Sequence, residues 1–261
     1  MASYYTTMID SYILLKGHRI LTRFYNEKPE LNKPTIVFLH EALGSVAQWR
    51  DFPDTVARLT DFNVLAYDRL GHGLSDRMSK KRDNEYLKHE AWEILPSILQ
   101  QLGIENPILW GHSDGGSIAL LYASRFSTKA LITEAAHVFV ENITLDGIQE
   151  AMTRKDFLID RLSRFQGDKT TDLLFAWSDT WLHESFKTWD IEEHLREICC
   201  PTLVIQGEND EYGTVEQVHR IVKAIGKKAQ PLMIPECGHT PHKEAQETVL
   251  NNALNFLTQH V

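Results

Sequence analysis

No run of about 18 apolar residues occurs in the chain, so an ordinary membrane-spanning helix is excluded. The stretch Met1 to Tyr12 has neither a basic region nor an apolar core, and it carries Asp10; no secretory signal peptide is expected. Cysteine is scarce. Cys199, Cys200 and Cys237 are the only three, two of them adjacent and none at a metal-binding spacing. Reduced structural thiols, a cytoplasmic location and no bound metal are the expectations. Basic residues are in deficit: 27 Lys and Arg face 36 Asp and Glu, a net charge of -9. That argues against general nucleic-acid or anionic-membrane partners and leaves a small molecule as the expected one. There is no internal repeat and no low-complexity linker.

The 261 residues are 43% hydrophobic and 24% charged, which suits one large domain, or one domain with an insertion, built on a sizeable core. Tyr12 to Leu15 and Ile20 to Tyr25 read as an N-terminal hairpin around Lys16-Gly17-His18-Arg19. Thr35 to Leu39 and Asn63 to Tyr67 read as buried parallel strands, with a helix around Ala47 to Leu59 between them. Glu85 to Leu102 reads as a helix kinked by Pro96. Pro107 to Trp110 is a short strand, Ser117 to Ala123 a helix and Ala130 to Glu134 a strand. Residues 137–197 lack a clear buried strand and read as several helices, rich in Trp177, Trp181, Trp189 and phenylalanine. Alternation then resumes: strand Thr202 to Gln206, helix Val215 to Ile225, strand Gln230 to Ile234 and helix Glu244 to Leu257. This predicts an α/β class parallel sheet with helices on both faces. Residues 1–136 and 198–261 form its core, and residues 137–197 form a cap over the carboxyl ends of the strands, where such sheets bind ligands.

Gly111-His112-Ser113-Asp114-Gly115 fits G-x-S-x-G between a strand and a helix, the context in which a sharp turn exposes a nucleophilic serine. Glycine and serine also cluster in ordinary turns, so the flanking elements carry the reading. Ser113 needs a base and the base an orienting acid. His239, in Pro235-Glu236-Cys237-Gly238-His239 just after the last strand, reaches the same sheet edge as Ser113. His242, at the start of the last helix, is its rival. Asp210, in Gly207-Glu208-Asn209-Asp210, gives the chain order Ser, Asp, His. Glu134 is a rival acid, Glu208 reads as a loop residue, and Asp210 itself could be a turn former. The backbone N–H groups of Asp114 and Ala42 are the candidate oxyanion donors, and His40 reads as a buried histidine bracing that loop. Asp68 to Asp76 is glycine-rich but lacks the third glycine and the helix of a dinucleotide fingerprint, and no cofactor is expected.

Together the loop after Leu39, the Asp68-Arg69-Leu70-Gly71-His72-Gly73-Leu74-Ser75-Asp76 loop, the elbow, the Gly207 to Asp210 turn and Gly238-His239 resemble the α/β-hydrolase fold family over essentially the whole chain. Within it the chain is similar to meta-cleavage-product hydrolases, lactonases and valacyclovir hydrolase. The resemblance implies a mostly parallel eight-stranded sheet with a helical cap, and a serine hydrolase acting on a small ester or lactone. Cleavage of a C–C bond in a vinylogous diketone, or ligand binding without catalysis, are the other activities this fold supports. Many relatives have His-Gly where this chain has His40-Glu41. Glu41, Trp177 and Trp181 are the expected substrate-binding residues. The resemblance to valacyclovir hydrolase implies that Asp114 receives a substrate amino group; the residues themselves equally suit Asp114 capping its own helix.

Overall fold

The computed structural model describes residues 8–30, 32–78 and 82–261; the first seven residues of the Met1 to Tyr12 stretch lie outside the described residues. Strands β1 (Ile9–Leu15), β2 (His18–Phe24), β3 (Thr35–Leu39), β4 (Asn63–Tyr67), β5 (Ile108–His112), β6 (Ala130–Glu134), β7 (Thr202–Gly207) and β8 (Ala229–Ile234) form one sheet in the order β1-β2-β4-β3-β5-β6-β7-β8. The hairpin β1-β2 and the β2-β4 pair are antiparallel. The remaining pairs are parallel, with β3 and β6 flanking β5.

The period-2 geometry of a strand divides the buried residues between two faces. Val37, Leu39, Leu65, Leu109 and Leu131 face one core, and Ile36, Phe38, Val64, Trp110 and Ile132 the other. On the second face Phe38 stacks on Trp110 at 5.2 Å, and Phe52 meets the same indole edge-on at 5.3 Å. Phe52 opens α1 (Phe52–Leu59), which a short 3₁₀ turn, Val46–Trp49, precedes; the expected continuous helix from Ala47 is interrupted there.

The expected kinked helix is α2 (Tyr86–His89), a π turn (Glu90–Ile94) and α3 (Leu95–Gln101). Pro96 has no N–H and its ring would strike the Trp92 carbonyl, so the ladder widens in the preceding turn and Pro96 sits in the first turn of α3. After α4 (Asp114–Ala123) and β6 come α5 (Asn142–Thr153), α6 (Lys155–Gln166), α7 (Thr170–Trp181) and α8 (Glu192–Leu195), then β7, α9 (Val215–Ile225) and β8. The expected last helix is two: α10 (Pro241–Glu244) and α11 (Gln246–His260). They part at Ala245, which leaves the helical region at φ -135° and ψ 43°, and the Glu244 carboxylate accepts the Gly238 and Thr240 N–H groups at 2.7 and 2.9 Å at the start of α10. Among the described residues no helix is long and apolar enough to cross a membrane.

Candidate active site

At the carboxyl end of β5 the chain turns into α4 through Ser113, which holds φ 53° and ψ -118°. A non-glycine residue held in that sparsely populated region costs about 1–3 kcal/mol, offset by the packing around it. That packing explains the glycines. A Cβ on Gly111 would strike the Gly115 carbonyl, and one on Gly115 would strike the Leu39 carbonyl. The Ser113 N–H is tied to the Glu134 carbonyl at 2.8 Å, which anchors the turn to β6.

The Ser113 hydroxyl lies 3.0 Å from His239 Nε2, and His239 Nδ1 lies 2.8 and 3.0 Å from the two Asp210 oxygens. With the Nδ1 proton donated to Asp210, Nε2 is left to accept from Ser113. The loops after β7 and β8 hold these groups in place. Asp210 also accepts from Gln206 Nε2 at 2.8 Å and from the Tyr212 and Gly213 N–H groups at 2.8 and 3.3 Å. The His239 carbonyl accepts from His112 Nε2 at 2.7 Å. Burial by itself disfavours both charges. For His239 the Asp210 charge and hydrogen bond outweigh burial and raise its pKa above 6.5. For Asp210 the His239 charge and hydrogen bond likewise outweigh burial and lower it.

The rival groups pair with one another. Glu134 Oε2 accepts the His242 N–H at 2.8 Å and lies 3.0 Å from its Nδ1, while Oε1 accepts Trp110 Nε1 at 2.6 Å. Both side chains are buried, and neither reaches Ser113. Glu208 is an exposed loop residue.

His40 is buried, with Nδ1 donating to the Glu41 carbonyl at 2.8 Å and Nε2 accepting the Arg69 N–H at 3.1 Å. Burial, reinforced by the Arg69 charge, keeps it neutral. It braces the loop that carries Ala42. Asp114 opens α4, where an N–H has no partner inside its own helix. Among the described residues the Ala42 and Asp114 N–H groups are not engaged by any other group of the chain. Ala42 and Asp114 line one cavity with Ser113, which keeps their N–H groups as the candidate oxyanion donors.

The Asp114 side chain departs from both expectations. Its hydrogen bonds go to Arg69 and Tyr86 and not to its own helix. Its Oδ2 accepts from Tyr86 OH at 2.9 Å and lies 3.5 Å from Arg69 Nη1, with the Arg69 and Asp114 side chains 2% and 1% exposed. Arg69 Nη2 in turn donates to the Glu41 carbonyl at 2.7 Å. Asp114 is therefore a neutralised partner in a buried pair that ties the Ala42 loop to the elbow. The Asp114 carboxylate is thus already paired, and Glu41 is the other carboxylate in the cavity wall. No local signal marks Arg69 or Tyr86 in the sequence, because they meet Asp114 across 45 and 28 positions of the chain.

A cavity of about 210 Å³ opens onto Ser113 and His239 and is lined by Glu41, Trp177 and Trp181 together with His137, Ile148 and Tyr212. Two larger clefts, of about 770 and 1,260 Å³, share Met78, Arg82 and Glu85 and include neither Ser113 nor His239. Trp181 is both cavity wall and core: it packs on Phe186 and Trp189 at 5.0 and 5.8 Å and donates its Nε1–H to Tyr86 OH at 3.0 Å. Trp177 meets Tyr212 edge-on at 6.5 Å. Two side chains join the helices after β6 to the loops below. Gln166 Nε2 donates to the Leu43 and Gly44 carbonyls at 2.8 and 2.9 Å. Lys169 Nζ donates to the Gly73 and Ser75 carbonyls at 2.6 and 2.5 Å.

The family model described as the alpha/beta hydrolase fold matches residues 34–166. Among curated proteins the chain is 25% identical to the 2-hydroxy-6-oxo-6-(2'-aminophenyl)hexa-2,4-dienoic acid hydrolase of Metapseudomonas resinovorans, over 82% of this chain and 80% of that one. It is 26% identical to 3-oxoadipate enol-lactonase 1 of Acinetobacter baylyi, over 70% of this chain and 74% of that one. Among solved structures, MGS-M2, an alpha/beta hydrolase enzyme from a deep-sea metagenome library, superposes with a TM-score of 0.78 at 20% identity, covering 95% of this chain and 97% of that one. The enol-lactonase from Burkholderia xenovorans does so at 0.71 and 21%, covering 95% and 100%.

Proposed function

As the chain belongs to the α/β-hydrolase fold family, we propose that it is a serine hydrolase of small carboxylic esters or lactones, acting without a cofactor. Ser113 attacks the carbonyl carbon while His239 Nε2 takes its proton, and Asp210 holds the imidazole and balances the charge that develops on it. The N–H groups of Ala42 and Asp114 stabilise the oxyanion. His239 then returns the proton to the leaving oxygen, the acyl-enzyme forms, and water releases it by the same steps in reverse. The observation that carries this reading is the continuous Ser113–His239–Asp210 chain at 3.0 and 2.8 Å.

Residues 137–197 act as the cap, with Trp177 and Trp181 as apolar walls for the acyl group and Glu41 at the rim. A cavity of about 210 Å³ is below the roughly 300–1,000 Å³ of sites for drug-sized ligands, which favours a short acyl group over a bulky ring-fission product. Turnover of a p-nitrophenyl ester series by wild type and Ser113→Ala tests the reading: short-chain esters are hydrolysed, longer ones fall off, and the variant is inactive. Equal turnover by the two proteins contradicts it.

A further inference from the structure

Five histidines are buried among the described residues: His40, His72, His112, His137 and His242. Four of them place a ring nitrogen in a hydrogen bond. His137 does not: its Nδ1 is fully enclosed and beyond the reach of a ligand, whereas Nε2 is not enclosed and has no partner among the described residues. Nε2 is therefore the ring nitrogen that a molecule in the cavity can satisfy.

The ring is also held in place. The Ser117 hydroxyl donates to the His137 carbonyl at 2.6 Å and accepts its N–H at 3.2 Å, and Gln217 fixes the next residue through the Val138 N–H at 2.8 Å. The imidazole stands between Trp181 at 5.4 Å and His239 at 5.9 Å, in the wall of the cavity that opens on Ser113. The absence of a Cβ at Gly213 leaves room beside it: one there would sit 3.3 Å from Cε1. Burial, then the His239 charge, lowers its pKa to about 4. At neutral pH the ring is therefore neutral, and its Nε2 makes one hydrogen bond, as donor or acceptor according to the tautomer, a role that a hydroxyl matches in either sense.

We propose that His137 is a specificity-determining residue that hydrogen-bonds a hydroxyl on the acyl group, within a few bonds of the carbonyl attacked by Ser113, so that esters of short hydroxycarboxylic acids are selected over the unsubstituted acids. This rests on the ester-hydrolase reading and names its substrate class. The apolar remainder of the cavity accommodates the carbon chain, and His137 is a neutral polar side chain in its wall with no ring hydrogen bond among the described residues.

The test is kcat/KM for the p-nitrophenyl esters of butanoic, 2-hydroxybutanoic and 3-hydroxybutanoic acids, each divided by its uncatalysed rate. Wild type prefers one hydroxy ester by roughly three- to tenfold, the effect of one neutral hydrogen bond. His137→Leu brings that ratio to near one, and His137→Asn, which keeps a donor and an acceptor, retains part of it. Melting temperatures establish that each variant is folded, and His137→Phe replaces the leucine variant if that one melts early. Turnover with a flat ratio in wild type, or a preference unchanged in the apolar variant, overturns this inference alone. Inertness toward all three esters overturns the ester reading and this inference with it.

Discussion

Glu134 holds His242, not His239. Its Oε2 takes the His242 N–H at 2.8 Å and its Oε1 takes the Trp110 indole at 2.6 Å, so a second histidine–carboxylate pair lies beneath the first with no nucleophile in reach. Of the two acids, Asp210 is the one bonded to the His239 ring.

The two acids therefore respond differently to removal of their charge. Asp210→Asn is expected to lower kcat by about 10⁴-fold with little change in melting temperature, because the imidazole loses its tautomer and orientation. Glu134→Gln is expected to lower the melting temperature and leave kcat within an order of magnitude, because it weakens three buried hydrogen bonds of the scaffold. Parallel kinetics and thermal melts check both, and the reverse ranking moves the acid to Glu134.

Acid is expected to inactivate the enzyme. His239 must be neutral to take the serine proton, and its pKa is raised above 6.5 by Asp210 against the pull of burial. kcat/KM consequently falls as pH drops through a midpoint above 6.5. In Asp210→Asn the raising charge is gone and burial remains, so the residual activity shows its limb at lower pH. A pH–rate profile whose limb stays in place in the variant contradicts the assignment.

Asp114→Asn separates charge from backbone. The backbone N–H proposed as an oxyanion donor is kept, but the buried Arg69 loses its counter-ion, and breaking such a pair costs about 3–5 kcal/mol. The expected outcome is a large loss of stability in urea melts. A matched pair of amino and acetamido esters is expected to give the same selectivity in wild type and variant. A preference for the amino ester that the variant erases would instead show Asp114 reading a substrate charge.

Trp181 and Trp177 differ in how deeply they belong to the core. Trp181 is 2% exposed and packed among Phe186, Trp189 and His137, so Trp181→Ala is expected to destabilise by about 3–5 kcal/mol. Trp177 is 8% exposed and meets Tyr212; Trp177→Phe is expected to raise KM more than it lowers the melting temperature. Equal effects on stability would make both tryptophans structural.

The parallel sheet and the Ser113 turn were legible because their signals are local. Apolar strand runs mark β3, β5 and β7, and Gly111 and Gly115 are required by backbone contacts at the elbow. His239 and Asp210 were placed by strand ends and chain order, without any contact being known. The π turn before Pro96 and the break at Ala245 were not legible. Each is a local change in the backbone, the widened turn at Glu90–Ile94 and Ala245 at φ -135° and ψ 43°, that no apolar pattern marks. Nor was the fate of Asp114. Its neighbours in sequence suited a helix cap, and only the fold brings Arg69 and Tyr86 to it. The paired rivals Glu134 and His242 belong to the same class, since 108 positions separate them.

The central claim is that Ser113 is a nucleophile activated by His239. Intact-protein and peptide mass spectrometry after exposure to a fluorophosphonate measures it directly. The expected result is a single adduct, on Ser113, formed rapidly in wild type and slowed by orders of magnitude in His239→Ala. An adduct on another serine, or equal labelling of Ser113 with and without His239, would contradict it.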